Sequence, residues 1–225
     1  MTTRDMFHVI VNRIRRMRLQ VLERASRDNS WNVRFLVGDR DRNVAEALAT
    51  AFRGVDGVEV VCGNLLDAST DAIVCPGNSF GDMGGGFDKA VDDFHEGRAQ
   101  RAVQKRIADA WFGEVPVGSA FVMPIDRATR CHHLIFAPTM RVPGPAPNLA
   151  AYLATRAALV ALAQWRAEHP ATIRSVALAG MGTGVGGLEP SRAALQMRTA
   201  FESIVGERWR DAVHPALAPF AMERW

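Results

Sequence analysis

Asp71-Ala-Ile-Val-Cys-Pro-Gly-Asn-Ser-Phe-Gly-Asp-Met-Gly-Gly-Gly-Phe-Asp-Lys-Ala-Val91 is a short apolar run that passes into a glycine-dense polar loop and then into a helical pattern. Ala72–Cys75 read as a strand. Gly84, Gly85 and Gly86 remove three successive Cβ atoms, so backbone N–H groups at the opening of the next helix can approach an anion unobstructed. A loop that only reversed the chain would not need three consecutive glycines, each costly to order. Asn78 and Asp88 place polar atoms at its two ends. The segment is the candidate ligand site.

Outward from it, the pattern alternates. Residues 33–37 read as a strand, 43–52 as a helix and 58–62 as a second strand, a βαβ-like opening. Past the glycine loop, a helical pattern runs from about residue 87 to 111, and strands are expected at 117–123 and 134–137. Pro143, Pro145 and Pro147 form a stiff connector that cannot be helix interior. Residues 149–168 are alanine-rich and helical, 175–179 a buried strand, and 189–205 a helix with Pro190 in its first turn. Strands alternating with long helices make an α/β sandwich around a mixed or mostly parallel sheet.

With 225 residues, 48% of them hydrophobic, the chain can bury one sizeable core. No apolar run approaches the roughly 20 residues of a membrane span, and residues 1–8 lack the apolar core of a secretory signal. Cys62, Cys75 and Cys131 are odd in number and widely spaced, which argues against a disulfide framework. A cytoplasmic protein is expected. The net charge of +3 is uneven, because residues 1–30 hold seven arginines against three acids. There Phe7, Ile10, Ile14, Met17 and Val21 follow 3-4 spacing, the seam of a basic amphipathic helix. Residues 1–30 are therefore expected as an N-terminal helix and 31–225 as the domain. Such a helix docks on its own domain or on a second copy, giving a homodimer; its arginine face leaves nucleic acid as the lesser alternative. Residues 212–225, with Pro215 and Pro219, read as a docked or loosely ordered tail.

A second glycine-rich loop, Ala179-Gly-Met-Gly-Thr-Gly-Val-Gly-Gly-Leu188, again lies between a strand and a helix. Gly182–Gly187 matches G-x-G-x-x-G, but a dinucleotide fold needs that motif in its first βα turn. As an anion loop its successive N–H groups suit a diphosphate. Gly77-Asn-Ser-Phe-Gly81 matches the serine nucleophile elbow, with His132 or His133 as base and Asp126 as acid, yet the required helix does not follow the serine directly. Cys131-His132-His133 lacks metal-ligand spacing, and its members alternate across a strand.

Both glycine loops, each leaving a strand and separated by about a hundred residues, resemble the macrodomain family of ADP-ribose-binding proteins. Val74-Cys-Pro-Gly-Asn78 with Gly84-Gly-Gly-Phe-Asp88 is similar to its V-N-A-A-N and G-G-G-V-D segments. Gly182-Thr-Gly-Val-Gly-Gly187 is similar to its S-T-G-[VI]-[YF]-G loop, and Gly63-Asn64-Leu65 to its G-D-[IL]. The resemblance covers roughly residues 33–205 and looks closest to a bacterial and phage-tail-associated subgroup. It implies a three-layer α/β/α sandwich that binds ADP-ribose without cofactor or metal.

It further implies that Asn64 and the Leu65 backbone meet the adenine and that Asn78 contacts the distal ribose. Gly84, Gly85 and Gly86 would close on ribose and diphosphate, and Thr183, Gly184, Val185 and Gly186 would wrap the diphosphate. Asp88 falls where an aspartate orients water at the anomeric carbon, which makes Asp88 and Asn78 the candidate catalytic pair. Three departures stand out: Asn64 for a carboxylate, Gly186 for a common aromatic, and Cys75-Pro76 for Asn-Ala. No lysine lies between Asn78 and Gly86, which speaks against a branch that uses a lysine nucleophile on ADP-ribosylated nucleotides. The implied function is hydrolysis of an ADP-ribose derivative: a mono-ADP-ribosyl ester, O-acetyl-ADP-ribose or ADP-ribose 1″-phosphate. The alternatives are a non-catalytic reader and an assembly protein with a vestigial pocket.

Overall fold

A computed structural model describes residues 31–125 and 131–211. The expected N-terminal helix over 1–30, Asp126 and the tail over 212–225 lie outside the described residues. Six strands, β1 (Arg34–Asp39), β2 (Val58–Cys62), β3 (Ala72–Cys75), β4 (Phe121–Pro124), β5 (His133–Phe136) and β6 (Ser175–Ala179), form one sheet in the order β2-β1-β6-β3-β5-β4. All pairings are parallel except β4 with β5. The helices are α1 (Arg42–Ala51), α2 (Gly86–Phe94), α3 (Arg98–Trp111), α4 (Ala150–Glu168) and α5 (Pro190–Ile204), with a short 3₁₀ turn at Leu65–Asp67.

Side chains alternate across each strand, so the sheet feeds two apolar layers. Phe35, Val37, Val74, Ile135, Val176 and Leu178 pack with Leu48 of α1, Leu159 and Leu162 of α4, and Met197 and Phe201 of α5. Leu36, Ile73, Leu134, Phe136 and Ala177 pack on the other face with Val91 of α2 and Val103 and Ile107 of α3. All four residues of β3 are buried, as a strand covered on both faces must be. The arrangement is a three-layer α/β/α sandwich.

Two expectations need correction. The helical pattern over 87–111 is two helices: Glu96 (φ 57°) and Gly97 (φ 71°) turn the chain left-handed between them. Glycine takes that conformation without penalty, whereas its apolar neighbours keep helical spacing on both sides and hide the break. The strand expected from residue 117 begins at Phe121, because Ser119 N–H bonds back to Pro116 O in a turn that includes Gly118 at φ 93°.

Helix ends decide where ligands can bind. Asp41 caps α1 by accepting from the N–H groups of Asn43 and Val44, and Glu189 caps α5 through Ser191 and Arg192. The start of α4 lacks a cap of its own; Gln196 of α5 accepts from Tyr152 N–H (3.2 Å) and donates to Asn148 O (2.6 Å). By contrast, α2 starts at Gly85, which has no side chain to cap it. Its first N–H groups are left for something else.

At the opposite, N-terminal ends of the strands, Asp71 Oδ2 accepts from Arg174 N–H (2.8 Å), Ser175 N–H (2.9 Å) and Ser175 Oγ (2.9 Å), tying the start of β3 to β6. Asp71→Ala would orphan these donors and is expected to cost about 2–3 kcal/mol. Urea unfolding measures this, and a loss below about 0.5 kcal/mol would reject the role.

Candidate functional site

The C-terminal ends of the parallel strands open on one cleft of about 640 Å³. Asp39 ends β1, and Arg40 and Asp41 follow it; Gly63, Asn64 and Leu65 follow β2; Pro76, Gly77 and Asn78 follow β3. Thr139 and Met140 follow β5, and Ala179 to Gly186 leave β6. The chain leaving β1 enters α1 on one face of the sheet, whereas the chain leaving β3 enters α2 on the other. Such a reversal opens a crevice outside the strand ends, the usual ligand position of an open α/β sheet.

Each residue that the resemblance assigns to ligand binding or catalysis lines this cleft: Asn64, Leu65, Asn78, Gly84, Gly85, Gly86, Asp88, Thr183, Gly184, Val185 and Gly186. In the β6 loop, Gly187 N–H bonds Gly184 O, Leu188 N–H bonds Gly182 O, and Thr183 Oγ1 donates to Gly180 O. The N–H groups of Thr183, Gly184, Val185 and Gly186 have no acceptor among the described residues. The uncapped N–H groups of Gly86, Phe87 and Asp88 open α2 on the same cleft. Two sets of unengaged amides on one cleft are a candidate anion site built from backbone dipoles.

The side chains around it are acidic. Asp39, Asp41, Asp82 and Asp88 line the cleft, with Arg40 as the one cation among the lining residues. Asp39 was not singled out from the sequence. Its Oδ1 accepts from Asp41 N–H (2.9 Å) and its Oδ2 from Gly180 N–H (3.2 Å), locking the end of β1 to the second glycine loop. A lone aspartate at the end of a strand carries no spacing signal, and its partner lies 141 residues away.

Asn78 and Asn64 hold backbone in place. Asn78 Oδ1 accepts from Phe80 N–H (3.0 Å) and Asp82 N–H (3.3 Å), and its Nδ2 donates to Asp82 O (2.9 Å), which winds residues 78–82 around one amide. Asn64 caps the 3₁₀ turn through Leu66 N–H and donates to Asp67 Oδ1 (2.8 Å). Each amide retains capacity for a further partner, a second lone pair or a second N–H.

Asp88 sits in the first turn of α2. Burial pushes its carboxyl up to about 7; a hydrogen bond from the Cys75 thiol (Sγ···Oδ1 3.3 Å) works the other way, and the Asp82 charge adds to the rise. Burial, reinforced by the Asp88 charge, holds the Cys75 thiol well above its usual range, so it stays protonated.

The other chemistries considered from the sequence are not assembled. Ser79 Oγ is fully buried beyond the end of β3, whereas His133 pairs with Ala72 at the start of that strand. A nucleophile and base beyond opposite ends of neighbouring strands cannot exchange a proton. No three His, Cys, Asp or Glu side chains group as metal ligands among the described residues. No helix there is long and apolar enough to cross a membrane.

An uncharacterized protein of Aquifex aeolicus is 35% identical over 142 residues, covering 62% of this chain and 78% of the relative. One of Aeropyrum pernix, also uncharacterized, is 33% identical over 151 residues, with 67% and 72% coverage. Among solved structures, the macrodomain of Mycobacterium tuberculosis DarG superposes with a TM-score of 0.52 at 27% identity, covering 64% of this chain and 88% of its own. The Oceanobacillus iheyensis macrodomain G37V mutant with ADP-ribose shares the fold at 20% identity and a TM-score of 0.54, covering 64% of this chain and 76% of its own. The profile of the Macro-like domain family matches residues 34–205, so this chain belongs to that family.

Proposed function

We propose that the cleft binds ADP-ribose and hydrolyses an ADP-ribose derivative at its distal ribose. The observation that carries the reading is the pairing of two unengaged amide sets with one carboxyl poised near neutrality. The β6 loop suits a diphosphate; the start of α2 brings Asp88 to the same cleft. Solved relatives named as complexes with ADP-ribose support the choice of ligand. For a mono-ADP-ribosyl ester, water attacks the anomeric carbon and the bond to the acyl oxygen breaks. The carboxylate leaves with the bonding pair, and Asp88 takes the proton from water. O-acetyl-ADP-ribose and ADP-ribose 1″-phosphate place their scissile bonds at the same end of the ligand. A cytoplasmic setting fits these substrates.

Asn78 favours a second reading. Its amide is engaged with the loop, so it holds the ribose-facing backbone in place. A pocket held this way also serves a reader that binds without turnover.

The first experiment is calorimetric titration with ADP-ribose, with AMP as control. Saturable ADP-ribose binding at least about tenfold tighter than AMP, about 1.4 kcal/mol, is expected; no saturation at millimolar ligand would end the ADP-ribose reading. Because amides and not cations hold the diphosphate, raising salt from about 50 to about 500 mM should leave affinity unchanged or tighten it by screening the four aspartates. A marked loss with salt would shift the anion contact to Arg40.

A further inference from the structure

We propose that Cys75 is a positioning residue for Asp88: its buried thiol holds one carboxylate oxygen and leaves the other for the proton of the attacking water. The inference rests on the hydrolytic reading above and adds to it a residue that touches no substrate. Cys75 ends β3, is fully buried, and its carbonyl accepts from Ala137 N–H (3.0 Å), so its backbone is fixed by the sheet. From there Sγ reaches Asp88 Oδ1 at 3.3 Å, across the interface between β3 and α2. Oδ2 of Asp88 has no partner among the described residues, and the residue lines the cleft.

The surroundings give the thiol its importance. Asp82, from the preceding loop, is the charged group that acts on Asp88; Asp92, one turn along α2, acts on Cys75. Lys89, the next residue, pairs with Asp93 at the surface. No cation pairs with Asp88 among the described residues, so the thiol is the group that offsets its burial. A lysine or arginine there would lock the carboxylate ionised and make it a poor base. A thiol is a weak donor that does not itself titrate at working pH. It orients the carboxylate while leaving its proton affinity near neutrality.

The test is the Asp88 titration itself, read by ¹³C NMR of the carboxyl in the wild type, Cys75→Ala and Cys75→Ser, with the pH profile of ester hydrolysis alongside. Cys75→Ala should raise the Asp88 midpoint by about half to one pH unit, the size of one modest hydrogen bond. The acid limb of kcat/KM should move by the same amount, with ADP-ribose affinity little changed. Cys75→Ser keeps a donor and should hold the midpoint at or below that of the wild type. An unmoved midpoint in a folded Cys75→Ala protein overturns the proposal.

Should the alanine variant not fold, the S–H infrared band of the wild type, assigned by difference from Cys75→Ser, decides. It should shift as Asp88 ionises, and a fixed band overturns the proposal. A midpoint that moves in proteins that all lack turnover would retire the hydrolase reading and leave the Cys75–Asp88 coupling established.

Discussion

Asp88→Asn is expected to lower turnover of a mono-ADP-ribosyl ester by roughly 10²–10⁴-fold, the usual reach of a general base, while making the protein more stable above neutral pH. Both effects come from burial. In the unfolded chain the carboxyl titrates near 3.8, and in the fold near 7. Because the folded value is the higher, the native state holds the proton more tightly. This contribution to stability is complete below pH 4 and disappears as pH rises through 7.

A displacement of about three pH units, at 1.36 kcal/mol each, sets a ceiling of about 4 kcal/mol on what ionised Asp88 costs the fold. The carboxyl has one side on the open cleft, and solvent there reduces the expected gain to about 2 kcal/mol. Asparagine keeps the shape and still accepts from Cys75, but carries no charge. Urea unfolding of both proteins at pH 4 and pH 8 measures the difference: nearly equal stability at pH 4, where the unfolded carboxyl is only beginning to ionise, and a more stable variant at pH 8. Equal stabilities at both, or a variant that keeps full turnover, would refute the assignment.

The same carboxyl should report ligand binding. A diphosphate brought into a cleft lined by four aspartates adds negative charge and pushes Asp88 further up. The acid limb of kcat should therefore lie above that of kcat/KM, since the first reports the complex and the second the free enzyme.

How much of this could be read in the chain depended on whether a feature was local. The glycine loops were legible because only glycine gives three missing Cβ atoms in a row, and each loop follows an apolar run short enough to be a strand. The parallel sheet followed from βα alternation. What stayed hidden depends on residues brought together by folding. Asp39 finds Gly180 across 141 positions, and the Cys75 thiol finds Asp88 across two elements. Sequence marked Cys75 only as a departure from asparagine; the thiol's direction gives that departure a physical meaning. Asn78 was legible as a polar residue beside glycines, but that alone cannot show which backbone groups an amide will hold.

Gly186 shows where family resemblance and local geometry point in opposite directions. The macrodomain pattern that the sequence resembles has an aromatic at this place, and that resemblance implies that Gly186→Tyr would add a ring beside the ribose and tighten binding. The opposite is expected. A Cβ on Gly186 would lie 2.5 Å from the Gly182 carbonyl oxygen and 2.8 Å from Ala146 Cβ. That carbonyl cannot simply retreat, because it accepts from Leu188 N–H and closes the loop (3.0 Å). The other neighbour is held as well, by the bond from Ala146 N–H to Gly186 O (2.9 Å). Any side chain must therefore open the turn that aligns the amides of residues 183–186. Gly186→Ala should weaken ADP-ribose binding at least about tenfold and destabilise the fold by about 1–3 kcal/mol, and Gly186→Tyr should abolish binding. Gly184→Ala is the control for the fold, since a Cβ there meets nothing within 4 Å and its melting temperature should match the wild type. Calorimetry and thermal melts of the three variants measure both quantities. If Gly186→Tyr binds as well as the wild type or better, the loop is freer than its hydrogen bonds imply, and the diphosphate is not held by its amides in this arrangement.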